Sequence, residues 1–292
     1  MNIAIVGLGL MGGSLSLSLK EQNSKYYFIG VDKDPGHRDL AVSLGLVSKC
    51  VDLPTAVREA DLIFLTVPVD VIERLLPEVL DQISHEQVVI DLGSTKERIC
   101  QAVRQHPNRG QYVAAHPMAG TENTGPKAAL VGLYNGKINI LCETELSNDQ
   151  AVDQAQEIFK ALGMRIIHMD AAAHDKHVAY VSHLSHVSSF MLGLTVLDIE
   201  KDEKNIFNLA GSGFQSTVRL AMSSPAMWGP IFSQNSRHIS SALEEYIHHL
   251  QDFKNWIDRH DSEKMTEAMQ QANDVRRILK QPPRDLPKER TS

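Results

Sequence analysis

Between residues 7 and 12 the chain reads Gly7-Leu8-Gly9-Leu10-Met11-Gly12, and what flanks this run constrains the fold more than any other feature. The β-branched run Asn2–Val6 precedes it and the helical pattern Met11–Gln22 follows, so the glycines fall on a strand-to-helix turn. At such a turn Gly7 permits the tight backbone, Gly9 lets the main chain approach a pyrophosphate, and Gly12 brings helix and strand together. The helix N-terminus then offers N–H donors and the positive end of its dipole to phosphates. A second strand, Tyr27–Val31, ends at Asp32, twenty residues beyond Gly12, where a carboxylate accepts hydrogen bonds from adenosine ribose hydroxyls. Gly7, Gly9, Leu10, Met11, Gly12 and Asp32 are therefore the expected dinucleotide site. Asp32 repels a 2′-phosphate, and Lys33-Asp34 adds a cation with another anion beside it, so NAD is expected in preference to NADP.

Short aliphatic runs alternate with longer helical patterns through the first half. Further strands are expected at Asp61–Val67, Gln87–Asp91, Tyr112–Ala115, Gly136–Cys142 and Met164–Met169. Helices are expected between them at Gly36–Gly45, Val69–Ile83, Thr95–His106 and Asn148–Leu162. A continuous apolar run such as Leu62-Ile63-Phe64-Leu65 suits a strand buried on both faces, and such strands separated by helices form a parallel sheet covered on each side. The expected fold class is α/β: a Rossmann-type dinucleotide-binding domain over 1–169, then an all-helical dimerisation and substrate domain over 170–280. Thr66-Val67-Pro68 closes an apolar strand at the carboxyl edge, where open α/β sheets bind ligands, which adds Thr66 and Pro68 to the cofactor site. The polar, Pro-rich stretch 281–292 is expected to be a flexible tail.

From Val178 to Leu197 there is no Asp, Glu, Lys or Arg. The length would suit a membrane span, but Ser182, His183, Ser185, His186, Ser188 and Ser189 are too polar for lipid. The segment is instead a helix buried in protein, and one apolar nearly all round needs cover on every side. A small helical domain cannot supply that alone, so a homodimer is expected. Asp202–Leu279 should form two or three more helices, with Pro225 and Pro230 as breaks. A balance of 29 Lys and Arg against 36 Asp and Glu, with no basic block, speaks against nucleic acid or an anionic membrane as partner. Cys50, Cys100 and Cys142 match neither a disulfide framework nor a zinc spacing, which fits a reducing compartment. Glycines and serines interrupt the apolar run Ile3–Leu19 and no Lys or Arg precedes it, so no secretory signal is read and a cytoplasmic location is expected.

Three polar groupings carry candidate chemistry. Asp91-Leu92-Gly93-Ser94-Thr95-Lys96 runs from a strand end into a helix start, where Ser94 is either a plain N-cap or a hydroxyl facing the cofactor crevice. His116-Pro117-Met118-Ala119-Gly120-Thr121-Glu122 directly follows the strand Tyr112–Ala115, which places His116 at a carboxyl end pointing into the crevice. The helical half opens with His174, His177, His183 and His186, the last two sharing one helix face at i, i+3. There is no His-Glu-x-x-His, no Cys nearby and no ligand-like spacing, so no metal is expected. His174 and His177 are expected as buried structural histidines held by hydrogen bonds.

Together and in order, the glycine turn, Asp91…Ser94…Lys96, the run His116–Glu122 and Ser182-His183-Leu184-Ser185-His186 resemble the prephenate/arogenate dehydrogenase family of tyrosine biosynthesis, over about residues 1–280. The resemblance implies a Rossmann domain followed by a helical domain that interlocks with its twin in a dimer. It also implies oxidative decarboxylation of a cyclohexadienyl substrate with NAD(P). Aromatisation of the ring drives that reaction, so the protein must mainly orient the reactants and help with the C4 hydroxyl proton. By resemblance His116 accepts that hydrogen bond as a neutral imidazole, and Ser94 orients His116 and the substrate oxygen. Arg219 matches the arginine whose planar fork binds a substrate carboxylate. His183, His186 and Trp228 fall at the substrate pocket and Glu122 beside its entrance.

The chain departs from the family pattern at three places. Ser185 stands where the family often has Pro, so a straighter helix is expected there. Gln215 and Ser216 replace a basic and an acidic residue in Phe214-Gln215-Ser216-Thr217-Val218-Arg219. Losing the acid removes one partner for the ammonium of arogenate. The expected reaction is therefore NAD-dependent conversion of prephenate to 4-hydroxyphenylpyruvate, with arogenate dehydrogenation to tyrosine as the alternative. A β-hydroxyacid dehydrogenase would need a lysine early in the helical half, where Lys176 stands without the flanking Gly-containing pattern. A non-catalytic NAD-sensing protein on the same fold would have no use for Ser94, His116 and Arg219 together.

Overall fold

The computed structural model describes residues 1–280; the stretch 281–292, expected as a tail, lies outside the described residues. Eight strands build the sheet: β1 (Asn2–Val6), β2 (Tyr27–Val31), β3 (Lys49–Cys50), β4 (Leu62–Leu65), β5 (Val88–Asp91), β6 (Tyr112–Pro117), β7 (Ile138–Cys142) and β8 (Arg165–Met169). They lie in the order β3-β2-β1-β4-β5-β6-β7-β8. In β4 every side chain is buried, because alternate residues face opposite layers and both layers are covered. Ile3, Ile5 and Phe64 join one apolar cluster, Ala4, Val6 and Ile63 the other. Helices α1 (Leu10–Gln22), α2 (Pro35–Ser43), α3 (Leu53–Glu59), α4 (Val69–Gln82), α5 (Glu97–Val103) and α6 (Asp149–Ala161) connect the strands.

The expectation of a wholly parallel sheet needs correction at one pair. β6 and β7 run antiparallel, with Ala114 opposite Cys142 and Pro117 opposite Asn139. Only a short 3-10 turn, Pro126–Ala128, stands between them, and without a crossover helix the chain returns in the opposite sense. The elements β3 and α3 escape pattern reading because two and seven residues are too few for a period.

Past Asp170 the described chain is helical: α7 (Ala171–Val178), a π turn (Ala179–His183), α8 (Leu184–Glu200), α9 (Ser212–Val218), α10 (Pro225–Gln234), α11 (Ser236–Asp258) and α12 (Ser262–Lys280). Met1–Ile239 is one compact unit, and a second begins at Ser240. Within the first, α7 packs on α5 and α10 on α4, and Ala171, Trp228 and Ile231 join the second apolar cluster. Pro225 opens α10, but Pro230 lies inside it and breaks nothing. On α8, Met191, Leu194, Leu197 and Ile199 are each about half exposed, so a single chain leaves part of this helix's apolar surface uncovered. Ser185 lies in the first turn of α8, two residues beyond the π turn. In the second unit Ile247, Leu250, Ile257, Met269 and Leu279 remain exposed. Among the described residues no helix is long and apolar enough to cross a membrane.

Candidate active site

The glycine turn has the geometry a dinucleotide needs. Gly7 sits at φ +104°, and a Cβ there would meet the Thr66 carbonyl group at 2.8 Å. A Cβ at Gly12 would meet the Gly7 carbonyl oxygen at 2.3 Å and Thr66 Oγ1 at 2.6 Å, so only glycine lets α1 lie this close to the strand ends. Gly9 differs: a Cβ there would meet nothing within 4 Å, which leaves open space over the backbone. α2, α3 and α7 each begin under a capping Asp side chain, whereas α1 begins at Gly9 with no side-chain cap. The N–H groups of Leu10, Met11 and Gly12 are thus left for phosphate oxygens. Thr66 Oγ1 donates to the Gly7 carbonyl at 2.6 Å and the Val6 carbonyl at 3.0 Å, bracing the turn, and Pro68 starts α4 beside it. Asp32 accepts from Leu8 N–H at 2.9 Å through Oδ2 and from Asp34 N–H at 2.9 Å through Oδ1. Each carboxylate oxygen keeps a lone pair for a ribose hydroxyl. The residues fit NAD.

Three strands along the same carboxyl edge from β1, His116 is buried at the end of β6. Its Nδ1 lies 2.8 Å from His174 Nε2, and His174 Nδ1 lies 2.7 Å from Asp175 Oδ1. Asp175 also accepts from the main-chain N–H groups of Lys96 and Glu97, at 2.7 and 3.0 Å. This chain of bonds sets the protons. A carboxylate only accepts, so His174 carries hydrogen on Nδ1 and accepts at Nε2. His116 must then donate from Nδ1, which leaves its Nε2 lone pair free. Burial pushes the His116 pKa well below the ordinary histidine value, and the nearby His174, Lys96 and His183 reinforce the shift. The buried Lys96 ammonium is paired with Asp91 and donates to the Ala115 carbonyl at 2.8 Å, one residue before His116. The result is a neutral imidazole presenting an acceptor.

Helix α5 starts at Glu97 rather than Thr95, and Asp175, not Ser94, caps it, which corrects the N-cap reading of Ser94. Ser94 is half-buried in the turn after β5, and Nδ1 of His116 bonds to His174 rather than to it. His177 is exposed, against expectation, because it lies on the outer face of α7 while His174 and Asp175 face inward.

The π turn and α8 bring His183 and His186 together with Trp228. The Trp228 ring stacks on His186 at 3.5 Å between centroids and meets His183 edge-on at 5.8 Å. Asn235 Nδ2 donates to the Asp175 carbonyl at 2.7 Å and lies 3.1 Å from His183 Nδ1. His183 thus accepts at Nδ1, and its Nε2 is buried without a partner among the described residues, as is Trp228 Nε1. Burial pulls the His183 pKa down to about 4. His186 is lowered too, first by burial, with its bond to the Ser182 carbonyl opposing and the Arg219 charge assisting. Arg219 itself is half-exposed and donates to Glu122 Oε2 at 3.1 Å. The structure thus gathers His183, His186, Trp228, Arg219 and Glu122. His174, expected as a buried structural histidine, completes the network with Asp175 in the middle of α7 and Asn235 at the end of α10, two residues that no sequence motif marks.

A cradle for NAD and a buried imidazole acceptor on one sheet edge define an NAD-dependent dehydrogenase. Residues 15–168 match the nucleotide-binding domain of prephenate dehydrogenase, and residues 170–271 match its dimerization domain. The prephenate dehydrogenase of Bacillus subtilis (strain 168) is 30% identical over 277 residues, spanning 94% of this chain and 75% of that protein. The cyclohexadienyl dehydrogenase of Zymomonas mobilis is 30% identical over 281 residues, spanning 96% of each. The structure of Aquifex aeolicus prephenate dehydrogenase in complex with hydroxyphenyl propionate and NAD+ superposes with TM-score 0.85 at 29% identity, covering 96% of this chain and 98% of that one. The chain belongs to the prephenate dehydrogenase family.

Proposed function

We propose that this protein catalyses the NAD-dependent oxidative decarboxylation of prephenate to 4-hydroxyphenylpyruvate in tyrosine biosynthesis. The observation that carries the reading is the bond chain Asp175–His174–His116, which leaves the His116 Nε2 lone pair free to take the hydrogen bond of a substrate hydroxyl. NAD, when bound, supplies the hydride acceptor, held by Gly7, Gly9, Leu10, Met11, Gly12, Asp32, Thr66 and Pro68. His116 holds the C4 hydroxyl proton, and Ser94 has the role of orienting it. Arg219 binds a substrate carboxylate through the N–H groups that its single Nη1 bond to Glu122 leaves over. The orphaned donors of His183 and Trp228 suit further acceptors on the substrate, and His186 lines the same pocket. Residues 1–169 serve as the nucleotide-binding domain and 170–280 as the dimerisation and substrate domain. The half-exposed apolar residues of α8 support a homodimer. Three free cysteines suit a cytoplasmic location.

The test is the initial rate of NADH formation with prephenate and with arogenate. Faster turnover of prephenate is expected. Faster turnover of arogenate would move the reading to arogenate dehydrogenase, and no turnover of either on folded protein would overturn it.

A further inference from the structure

Tyr112 is fully buried in an apolar cluster that a phenylalanine would fill as well, yet it carries a hydroxyl. A buried oxygen costs free energy unless it is bonded, and here its partner is a carboxylate: Tyr112 Oη donates to Asp91 Oδ1 at 2.6 Å. The sheet arranges the meeting. Tyr112 pairs with Val89 across β6 and β5, so Val89 and Asp91 share a face with Tyr112, Ala114 and His116. Asp91 Oδ2 accepts from Gly93 N–H at 2.9 Å and from the Lys96 ammonium, which also donates to the Ala115 carbonyl at 2.8 Å. Tyr112, Asp91 and Lys96 are all wholly buried. A buried ion pair seldom stabilises a fold more than apolar residues of the same volume, so this one needs another reason. The reason stands at the end of the same face, where the Lys96 charge opposes protonation of His116. His174 and Asp175 approach that imidazole from α7 and His183 from the π turn, and Lys96 is the one ammonium in the group. Around Lys96, burial pushes the Cys100 thiol up to about 12 and the Cys142 thiol well above its ordinary value, so neither supplies a second anion. Behind Tyr112, Arg109 lies 4.9 Å over the ring and pairs with Glu143 at 3.9 Å. Burial, and then the Asp91 charge, push the phenol up as well, which keeps it a donor.

We propose that Tyr112 is a positioning residue for the reaction, its hydroxyl anchoring the Asp91 carboxylate so that the Lys96 ammonium stays charged and fixed behind His116. The inference rests on the reading of His116 as the proton acceptor. Without the hydroxyl, Asp91 Oδ1 loses its donor and the carboxylate turns its charge on Lys96 alone. More of the ammonium's field is then cancelled, or its proton passes to Asp91. Either way His116 takes up a proton more readily, and the acid limb of kcat/KM moves to higher pH. The experiment measures NADH formation from prephenate against pH for native protein and Tyr112→Phe, with NADH binding by fluorescence and a thermal melt. The limb should move up by roughly half a unit to one unit, and plateau kcat should fall about three- to tenfold. KM for prephenate and NADH affinity should stay within about twofold. A lower melting temperature with an unmoved limb would overturn the proposal, since Tyr112 would then only pack. If Tyr112→Phe does not melt cooperatively, Asp91→Asn/Lys96→Met removes both charges together and should move the limb further up. An unmoved limb there, or failure of both variants to fold, would overturn the proposal too. An acid limb that persists in His116→Asn would instead overturn the acceptor reading beneath it.

Discussion

Replacing Asp175 by Asn removes one charge and almost no volume, yet it strikes the group on which the imidazole protons depend. The native carboxylate accepts from three donors: His174 Nδ1 and Lys96 N–H, both at 2.7 Å, and Glu97 N–H at 3.0 Å. An amide accepts at one atom and donates at the other. With its oxygen toward His174 and Lys96, its NH₂ opposes Glu97 N–H and leaves a donor unsatisfied at the start of α5, costing about 1–3 kcal/mol of stability. With its NH₂ toward His174, the imidazole must carry its proton on Nε2 instead. His116 Nδ1 then becomes the acceptor and Nε2 holds the hydrogen, so the face meant to receive a proton offers one. A wrong-tautomer lesion in a comparable relay costs on the order of 10⁴ in kcat, and a mixture of the two orientations brings the expected loss to roughly 10²–10⁴.

The assay is steady-state NADH formation from prephenate with Asp175→Asn, alongside NADH binding and a thermal melt. Lower kcat, KM for both ligands within about threefold, and a fold that still melts cooperatively are expected. A kcat within about threefold of native would refute the tautomer argument. So would equal losses in kcat and NADH affinity, which would mean that Asp175 only holds α5 in place.

His116→Asn should lower kcat by roughly 10²-fold or more with KM little changed. Because burial holds His116 neutral, the acid limb of native kcat/KM should fall below about pH 6.5 and vanish in the variant; a surviving limb would assign it elsewhere. Arg219→Ala should raise KM for prephenate by about 30-fold, the equivalent of about 2 kcal/mol for a lost charge-assisted contact, and a loss confined to kcat would contradict the carboxylate role. His183, lowered from 6.5 to about 4, takes up a proton more readily unfolded than folded. Stability is therefore full above about pH 6.5 and falls toward pH 4, by about 3 kcal/mol from this group; urea midpoints of His183→Gln should lose part of that slope. Light scattering at micromolar concentration should give twice the 32.4 kDa chain mass, and a monomer would leave the exposed face of α8 unexplained.

What could be read without coordinates was local. The glycine turn is legible because the steric demands at Gly7 and Gly12 arise within the strand-turn-helix unit and from one neighbouring strand end at Thr66. Buried strands such as Leu62–Leu65 are legible because both faces are apolar. Ser94 misleads as a cap for a physical reason: a short polar side chain before a helix is a good cap only if nothing better arrives, and Asp175 arrives from 79 positions away. His174 looks structural for the same reason, since its partner His116 lies 58 positions off and the two meet only because α7 packs over the end of β6. Gln234 reaches Thr95 Oγ1 at 2.6 Å across 139 positions, and no pattern announces it.

These long-range contacts are not additions to a finished fold. Asp175 satisfies the two opening N–H groups of α5 with the same carboxylate that orients His174, so the bond that starts a helix also sets the protonation of the catalytic imidazole. Asn235 extends the arrangement, tying the end of α10 to the Asp175 carbonyl and holding His183 with the same amide nitrogen. Moving α7 by a fraction of a turn would break the cap and the relay at once. A substitution that loosens the packing of α7 against α5, distant from any ligand, should therefore reduce turnover before it reduces cofactor binding. The glycine cradle depends on β1, β2, β4 and α1 and, among the described residues, shares no hydrogen bond with this network.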